Sequence, residues 1–194
     1  VKMFPERDDS RNATCAALTD DFLVFGTGSG GIHYVHLEDW HGVNEYRHET
    51  GIRRLHVNAT ATRVVFVDDG QKAFVYNPTN DESIEISQFP GGTTTVLWDN
   101  KDWGVFVAAE ASEVRTYVYA PTTMHGPKVT MVGKTELPYG YKPILLNNGH
   151  LVCQINSGAL ETVLLTTHSA LINVTTMHMD RQTAFQQALT INRL

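Results

Sequence analysis

Clusters of positive charge are missing from this sequence. Its 194 residues include 15 lysines and arginines against 21 aspartates and glutamates, which gives a formal net charge of −6. Proteins that bind nucleic acid through its phosphates carry a basic patch or stripe, and no long basic run occurs here. We therefore predict that nucleic acid is not a partner. We interpret the small net negative charge as a contribution to solubility.

Cysteine is scarce as well. Cys15 and Cys153 lie far apart in the sequence, and neither belongs to a CxxC pair or to a disulfide framework. We predict two buried, reduced thiols in a cytosolic protein. The alternative is a secreted domain that carries one disulfide.

Long apolar runs are also missing, since no stretch exceeds the length of a strand. We therefore predict no transmembrane segment. Hydrophobic residues make up 42% and charged residues 19% of the chain, a globular composition. The chain begins at Val1 rather than at a methionine, so we expect a fragment of a longer protein.

Evenly spaced β-rich runs are what the sequence does contain. Four apolar runs begin at residues 22, 63, 104 and 150, which is the spacing of four-stranded propeller blades. Shorter apolar or aromatic segments precede and follow each run, separated by turns rich in Gly, Asp, Asn and Pro. The spacing predicts an all-β fold: a partial WD-repeat-like β-propeller of about four antiparallel four-stranded blades. A closed propeller has more blades, so we expect roughly half a ring.

The C-terminal segment has a different pattern. Ala184, Phe185, Ala188 and Leu189 share one face of a helix, and Asp180 is a suitable N-cap. We predict a short C-terminal α-helix, with residues 1–169 forming the C-terminal part of a propeller. Residues 170–194 would then form a linker and the start of a helical repeat solenoid. The alternative is a lone helix that caps a sheet edge.

Catalytic and metal-binding patterns are not found. Residues 26–31 (Gly-Thr-Gly-Ser-Gly-Gly) lack the Lys-Ser/Thr that completes a phosphate loop, and we interpret them as a tight turn between strands. The nine histidines form no HExxH or Cys/His pattern, so we expect them at the surface or at strand edges. We predict no enzyme activity, no cofactor and no metal.

Partner contacts are the remaining candidate sites. Trp40 can anchor a partner, whereas Trp98 is expected to pack between blades. Phe185 and Leu189 form a second apolar surface. Because a partial ring leaves blade faces uncovered, we expect the isolated fragment to self-associate.

Several blocks of this sequence resemble a known family. The most specific is 37–48 (Leu-Glu-Asp-Trp-His-Gly-Val-Asn-Glu-Tyr-Arg-His), and further blocks include residues 21–28, 62–68, 74–78, 92–98, 126–129 and 142–146. They are similar to the WD-repeat subunit of intraflagellar transport complex A, a protein of about 144 kDa, within its second propeller. The resemblance as a whole extends over most of the chain.

This resemblance implies a scaffold with no catalytic residues. Members of the family support retrograde transport in cilia and admit membrane-protein cargo to the cilium, on its cytoplasmic side and at the ciliary base. The implied partners are the other complex A subunits and ciliary membrane-protein cargo adaptors. The alternative is a propeller module that reads a linear peptide or serves in another vesicle-coat-like assembly.

Overall fold

The computed structural model describes residues 12–165, which fold into fifteen β-strands in four sheets. The expected C-terminal helix, with Phe185 and Leu189, and the expected boundary at residue 169 lie outside the described residues. Between residues 12 and 165 there is no α-helix. This part of the chain contains no helix with the length and apolar character that crossing a bilayer requires.

Each sheet is a meander in which consecutive strands pair antiparallel. The first sheet contains β1 (Ala13–Leu18), β2 (Phe22–Thr27), β3 (Gly31–His36) and β4 (Gly42–Arg47). The second contains β5 (Ile52–Val57), β6 (Val64–Asp68), β7 (Ala73–Asn77) and β8 (Glu82–Glu85). The third contains β9 (Thr95–Trp98), β10 (Val105–Ala109), β11 (Glu113–Ala120) and β12 (Lys128–Glu136). The fourth contains β13 (Lys142–Asn147), β14 (His150–Gln154) and β15 (Leu160–Leu164).

The predicted blades are confirmed by these sheets. The second strands begin at residues 22, 64, 105 and 150, each within one residue of its predicted start. Strands β6 and β10 are buried along their whole length, which explains why their sequences, apart from Asp68 at the end of β6, are continuous apolar runs rather than alternating ones. Among the described residues the fourth sheet has three strands rather than four.

Glycine is required at the turn between β2 and β3. Gly30 adopts φ +93°, and a Cβ placed there would lie 2.4 Å from the carbonyl oxygen of His48. The interpretation of residues 26–31 as a turn between strands is therefore confirmed, because this segment joins two paired strands.

The chain divides into two compact units, and each has its own core. The first unit contains Val1–Phe89 with Thr122–Val129, and the second contains Pro90–Pro121 with Thr130–Leu194. In the first unit, Val24 and Tyr34 of the first sheet pack with Ile52 and Phe66 of the second. The core of the second unit joins the third and fourth sheets and consists of Val105, Val107, Ala109, Val114, Leu137, Leu146, Leu151, Cys153 and Leu165.

Candidate functional site

Trp40 lies in the loop between β3 and β4, at the same edge of the first sheet as the turn between β1 and β2. Its backbone adopts φ 61°, a left-handed conformation that is unusual for a bulky residue. Its N–H donates to the carbonyl of His36 at 2.9 Å. The side chain is half-buried. A partner-binding role for Trp40 stays a prediction.

Asp39 holds this loop in place. Its carboxylate lies 3.2 Å from the Nδ1 of His36 and 3.4 Å from the Nδ1 of His41, and it accepts the backbone N–H of His41 at 3.2 Å. Hydrogen bonds from the His41 backbone and the His36 ring lower the pKa of Asp39. The loop that carries Trp40 is therefore fixed by its own side chains.

Trp98 packs against residues of its own sheet, and the expected packing between blades stays a prediction. The side chain is buried, and its ring centroid lies 4.8 Å from that of Phe106. Phe106 in turn stacks on Tyr117 at 5.1 Å with an interplanar angle of 10°. This tryptophan is used for packing.

Two histidines are largely buried, contrary to the expectation that all would lie at the surface or at strand edges. His33 is buried on β3, an interior strand of the first sheet, where its ring stacks on Phe25 at 4.8 Å. The His48 side chain is 11% exposed and packs edge-on against the rings of Phe66 and Phe74. Burial is tolerated because each ring has aromatic neighbours and a nearby carboxylate.

Asp68 is the carboxylate beside His48, and it is the centre of a buried polar network. Its Oδ2 lies 3.3 Å from His48 Nε2 and accepts the Thr50 hydroxyl at 3.0 Å, while its Oδ1 accepts the Lys72 N–H at 2.8 Å. Burial by itself raises the pKa of Asp68, but these hydrogen bonds together hold it below its usual value. The network ties the end of the first sheet to the β6–β7 turn of the second.

A second polar network joins the same two sheets. The Tyr76 hydroxyl lies 2.8 Å from Asn44 Oδ1 and 2.7 Å from Asp81 Oδ1. Asn44 Nδ2 donates to the carbonyl of Pro78 at 3.2 Å. Burial and the Asp81 carboxylate raise the pKa of the Tyr76 phenol, so this group acts as a hydrogen-bond donor.

The two cysteines differ in burial. Cys15 is half-buried and Cys153 is fully buried, and both are free thiols. Burial raises the pKa of Cys15, and it raises that of Cys153 to about 11. Neither thiol is activated as a nucleophile or a metal ligand. Among residues 12–165 no group of three His, Cys, Asp or Glu side chains is placed to hold a metal ion.

The polar networks were not found from the sequence. His48 and Asp68 lie twenty residues apart in the chain, so no local sequence pattern links them. Asp68 accepts the Lys72 N–H of its own turn, as turn aspartates commonly do, and it also lies beside His48 of the neighbouring sheet. These side chains stabilise the sheets and offer no open reactive centre.

Solved structures with this architecture are WD40 propellers. The fission yeast SCAP WD40 domain aligns over 78% of this chain and 38% of its own, with a TM-score of 0.57 and 12% identity. The RRP9 WD40 repeats align over 84% of this chain and 53% of their own, with a TM-score of 0.54 and 7% identity. At such identities the likeness concerns the fold alone. The four antiparallel sheets thus belong to a WD-repeat-like β-propeller.

Sequence relatives are more specific. The chain belongs to the WDR19 second β-propeller family, whose model matches residues 1–168. It is 44% identical to mouse WD repeat-containing protein 19 over 173 residues, and 42% identical to the human protein over 176 residues. These alignments cover 88% and 90% of this chain but 13% of each relative. The Caenorhabditis elegans WD repeat-containing protein dyf-2 is 28% identical over 169 residues, which are 85% of this chain and 12% of that protein.

Proposed function

We propose that this protein is a non-catalytic scaffold subunit of intraflagellar transport complex A. In this role it supports retrograde ciliary transport and the admission of membrane-protein cargo to the cilium, through protein–protein contacts. The observation that carries the proposal is the match to the WDR19 second β-propeller family along residues 1–168. The chain spans about one-eighth of the length of its curated relatives, so the activity of the whole protein is part of the proposal.

The chemistry of the described side chains supports a scaffold. Asp68 is buried and engaged with backbone and side-chain donors, and Asp99 accepts several backbone N–H groups. The buried thiol of Cys153 has a raised pKa. Asp68 and Asp99 thus hold the sheets together, and the Cys153 thiol is not activated as a nucleophile.

The proposed partners are other subunits of complex A and ciliary membrane-protein cargo adaptors, at the cilium and the ciliary base on the cytoplasmic side. We also propose that residues 1–169 are the C-terminal part of the propeller. Residues 170–194 would form a linker and the start of a helical repeat solenoid. The Phe185 and Leu189 stripe supports that reading, because it gives a helix one apolar face to pack.

Live imaging of transport in cilia tests this function. In cells that lack the endogenous protein, we expect the full-length protein to restore retrograde movement of fluorescent transport particles. A version without residues 12–165 would fail to restore it. Full rescue by the deleted version would show that this propeller segment is not needed for transport.

The isolated chain is proposed to self-associate, because a partial propeller exposes blade faces that neighbouring blades would cover. Light scattering at tens of micromolar should give a mass above that of the 21.6 kDa chain. Phe185→Asp would weaken the assembly if the predicted helix contributes to it. A monomer mass across this concentration range would show that the exposed faces do not associate.

A further inference from the structure

One edge of the first sheet combines exposed apolar side chains with negative charge. We call it the acidic edge, and it consists of Leu18, the turn at residues 19–21, the loop at residues 37–41, and Val43. Backbone hydrogen bonds hold its parts together: Leu37 N–H donates to the carbonyl of Asp21 at 2.8 Å, and His36 N–H to that of His41 at 2.9 Å. The two connections therefore form one continuous surface.

Leu18 and Val43 supply its apolar part. Leu18 is 70% exposed and Val43 is 56% exposed. Leu18 pairs with Leu23 across the sheet, and Leu23 pairs with Val35. The register between β3 and β4 shifts at Val43, which leaves this residue bulged out of the ladder. Exposing leucine and valine side chains to water costs free energy, so a partner that covers them is favoured.

The charge of this region has one sign. Residues 12–46 contain five carboxylates and no lysine or arginine. Four of the five lie in the acidic edge, at Asp20, Asp21, Glu38 and Asp39. In the described part of the chain, no cationic side chain lies within 4.0 Å of the first three, whereas Asp39 is engaged by two histidines.

Trp40 adds a strained backbone to this edge. Six non-glycine residues of the described chain have positive φ, and Trp40 is the bulkiest of them. A left-handed backbone costs about 1–2 kcal/mol for a residue with a Cβ, and such positions concentrate at functional sites. Tryptophan is also enriched among the residues that dominate binding energy at interfaces.

We infer that the acidic edge binds a polypeptide segment in which lysine or arginine residues flank one or more apolar side chains. The apolar residues of the segment cover Leu18 and Val43, and its cations face the carboxylates of the two turns. A second copy of this chain fits less well, because two acidic edges repel each other. Nucleic acid and anionic lipid are disfavoured for the same reason. The inference rests on the proposal that the propeller works through protein–protein contacts.

Peptide binding to the 194-residue chain tests this inference. The probe is a fluorescent synthetic peptide of about 14 residues made only of leucine and lysine, with leucine on one helical face. The control peptide has glutamate in place of lysine. We expect fluorescence anisotropy to show binding of the lysine peptide alone, weakening as salt rises from about 0.05 M to about 0.5 M.

Variants locate the site. Leu18→Ser and the double variant Asp20→Asn/Asp21→Asn should each weaken lysine-peptide binding by about tenfold. The matched controls are Tyr139→Ser, at a side chain that is 97% exposed, and Asp102→Asn, both in the second unit, and they should bind as the unaltered chain does. Trp40→Gly should also weaken binding while leaving the thermal midpoint unchanged or higher, because glycine relieves the backbone strain.

Several results would overturn the inference. These are equal binding of the two peptides, edge variants that bind normally, or control variants that weaken binding as much as edge variants do. Weaker self-association of the Asp20→Asn/Asp21→Asn variant would instead assign the edge to a second copy. The peptide assay does not involve the transport complex, so its failure leaves the proposed function standing. Likewise, failure to rescue transport leaves the peptide result standing.

Discussion

The carboxylate of Asp99 accepts the backbone N–H of Gly149 at 2.7 Å, fifty residues further along the chain. The same carboxylate accepts the N–H groups of Asn148 at 2.9 Å and Lys101 at 2.7 Å. Asp99 lies just after β9 of the third sheet, and Asn148 and Gly149 form the β13–β14 turn of the fourth. Asn148 and Gly149 have φ of 50° and 73°, as a tight hairpin requires. One buried side chain thus fixes the turns of two neighbouring sheets.

Replacing Asp99 tests its structural role. Asp99→Ala would leave several backbone N–H groups in a buried site without an acceptor, so we expect unfolding free energy to fall by about 3 kcal/mol. Glu136→Ala, at an exposed carboxylate of β12, is the control and should change it by less than about 0.5 kcal/mol. Urea unfolding followed by tryptophan fluorescence measures both. Equal effects would contradict the assignment.

The buried pair of His48 and Asp68 should be energetically coupled. A double-mutant cycle with His48→Gln and Asp68→Asn is expected to give a coupling of about 1–2 kcal/mol, because both side chains are nearly enclosed. The control is the pair of Lys72 and Glu85, which lie 3.4 Å apart but are 60% and 56% exposed. That pair should couple by less than about 0.5 kcal/mol. A buried pair no stronger than the exposed pair would refute this account of the network.

His56 makes stability depend on pH. Burial and the nearby Arg54 guanidinium lower the pKa of His56 to about 4, whereas an unfolded histidine titrates near about 6.5. The unfolded state binds the proton of His56 more tightly than the folded state does. With respect to His56, the folded protein therefore keeps its full stability above about pH 6.5 and loses stability as pH falls towards about 4. Between about pH 7.5 and about pH 5 the loss should be about 2 kcal/mol.

Unfolding measured at both pH values checks this expectation. His56→Gln should remove most of the pH-dependent loss, while His125→Gln, at an exposed loop position, should preserve it. Identical pH profiles for the unaltered chain and His56→Gln would contradict a lowered pKa.

Substitutions at two glycines can distinguish the cost of a steric clash from the cost of a left-handed backbone. Gly30 and Gly126 have nearly the same φ, +93° and +90°, but a Cβ at Gly126 would meet no atom within 4 Å. Gly126→Ala should cost about 1–2 kcal/mol for the left-handed backbone alone. Gly30→Ala should cost at least about 2 kcal/mol more, because its Cβ would clash with the His48 carbonyl. Thermal unfolding of the two variants measures the difference, and equal midpoints would show that the turn relaxes freely.

The sequence predicted the strands well because the information for them is local. The apolar runs that form β6 and β10 are bounded by turn residues, and the regular spacing of such runs predicted the position of the second strand in each blade. The networks at Asp68 and Asp99 were not predicted, because each joins residues 18–50 positions apart whose proximity depends on sheet packing. The sequence also contains no local signal for the positive φ of Trp40, because non-glycine residues rarely adopt this conformation.

Quantitative mass spectrometry of assemblies purified with the tagged full-length protein from ciliated cells tests the central claim most directly. We expect the other complex A subunits to be recovered in near-equal amounts with the full-length protein. They should be depleted when residues 12–165 are deleted. Recovery of none of those subunits with the intact protein would contradict its proposed role as a scaffold of that complex.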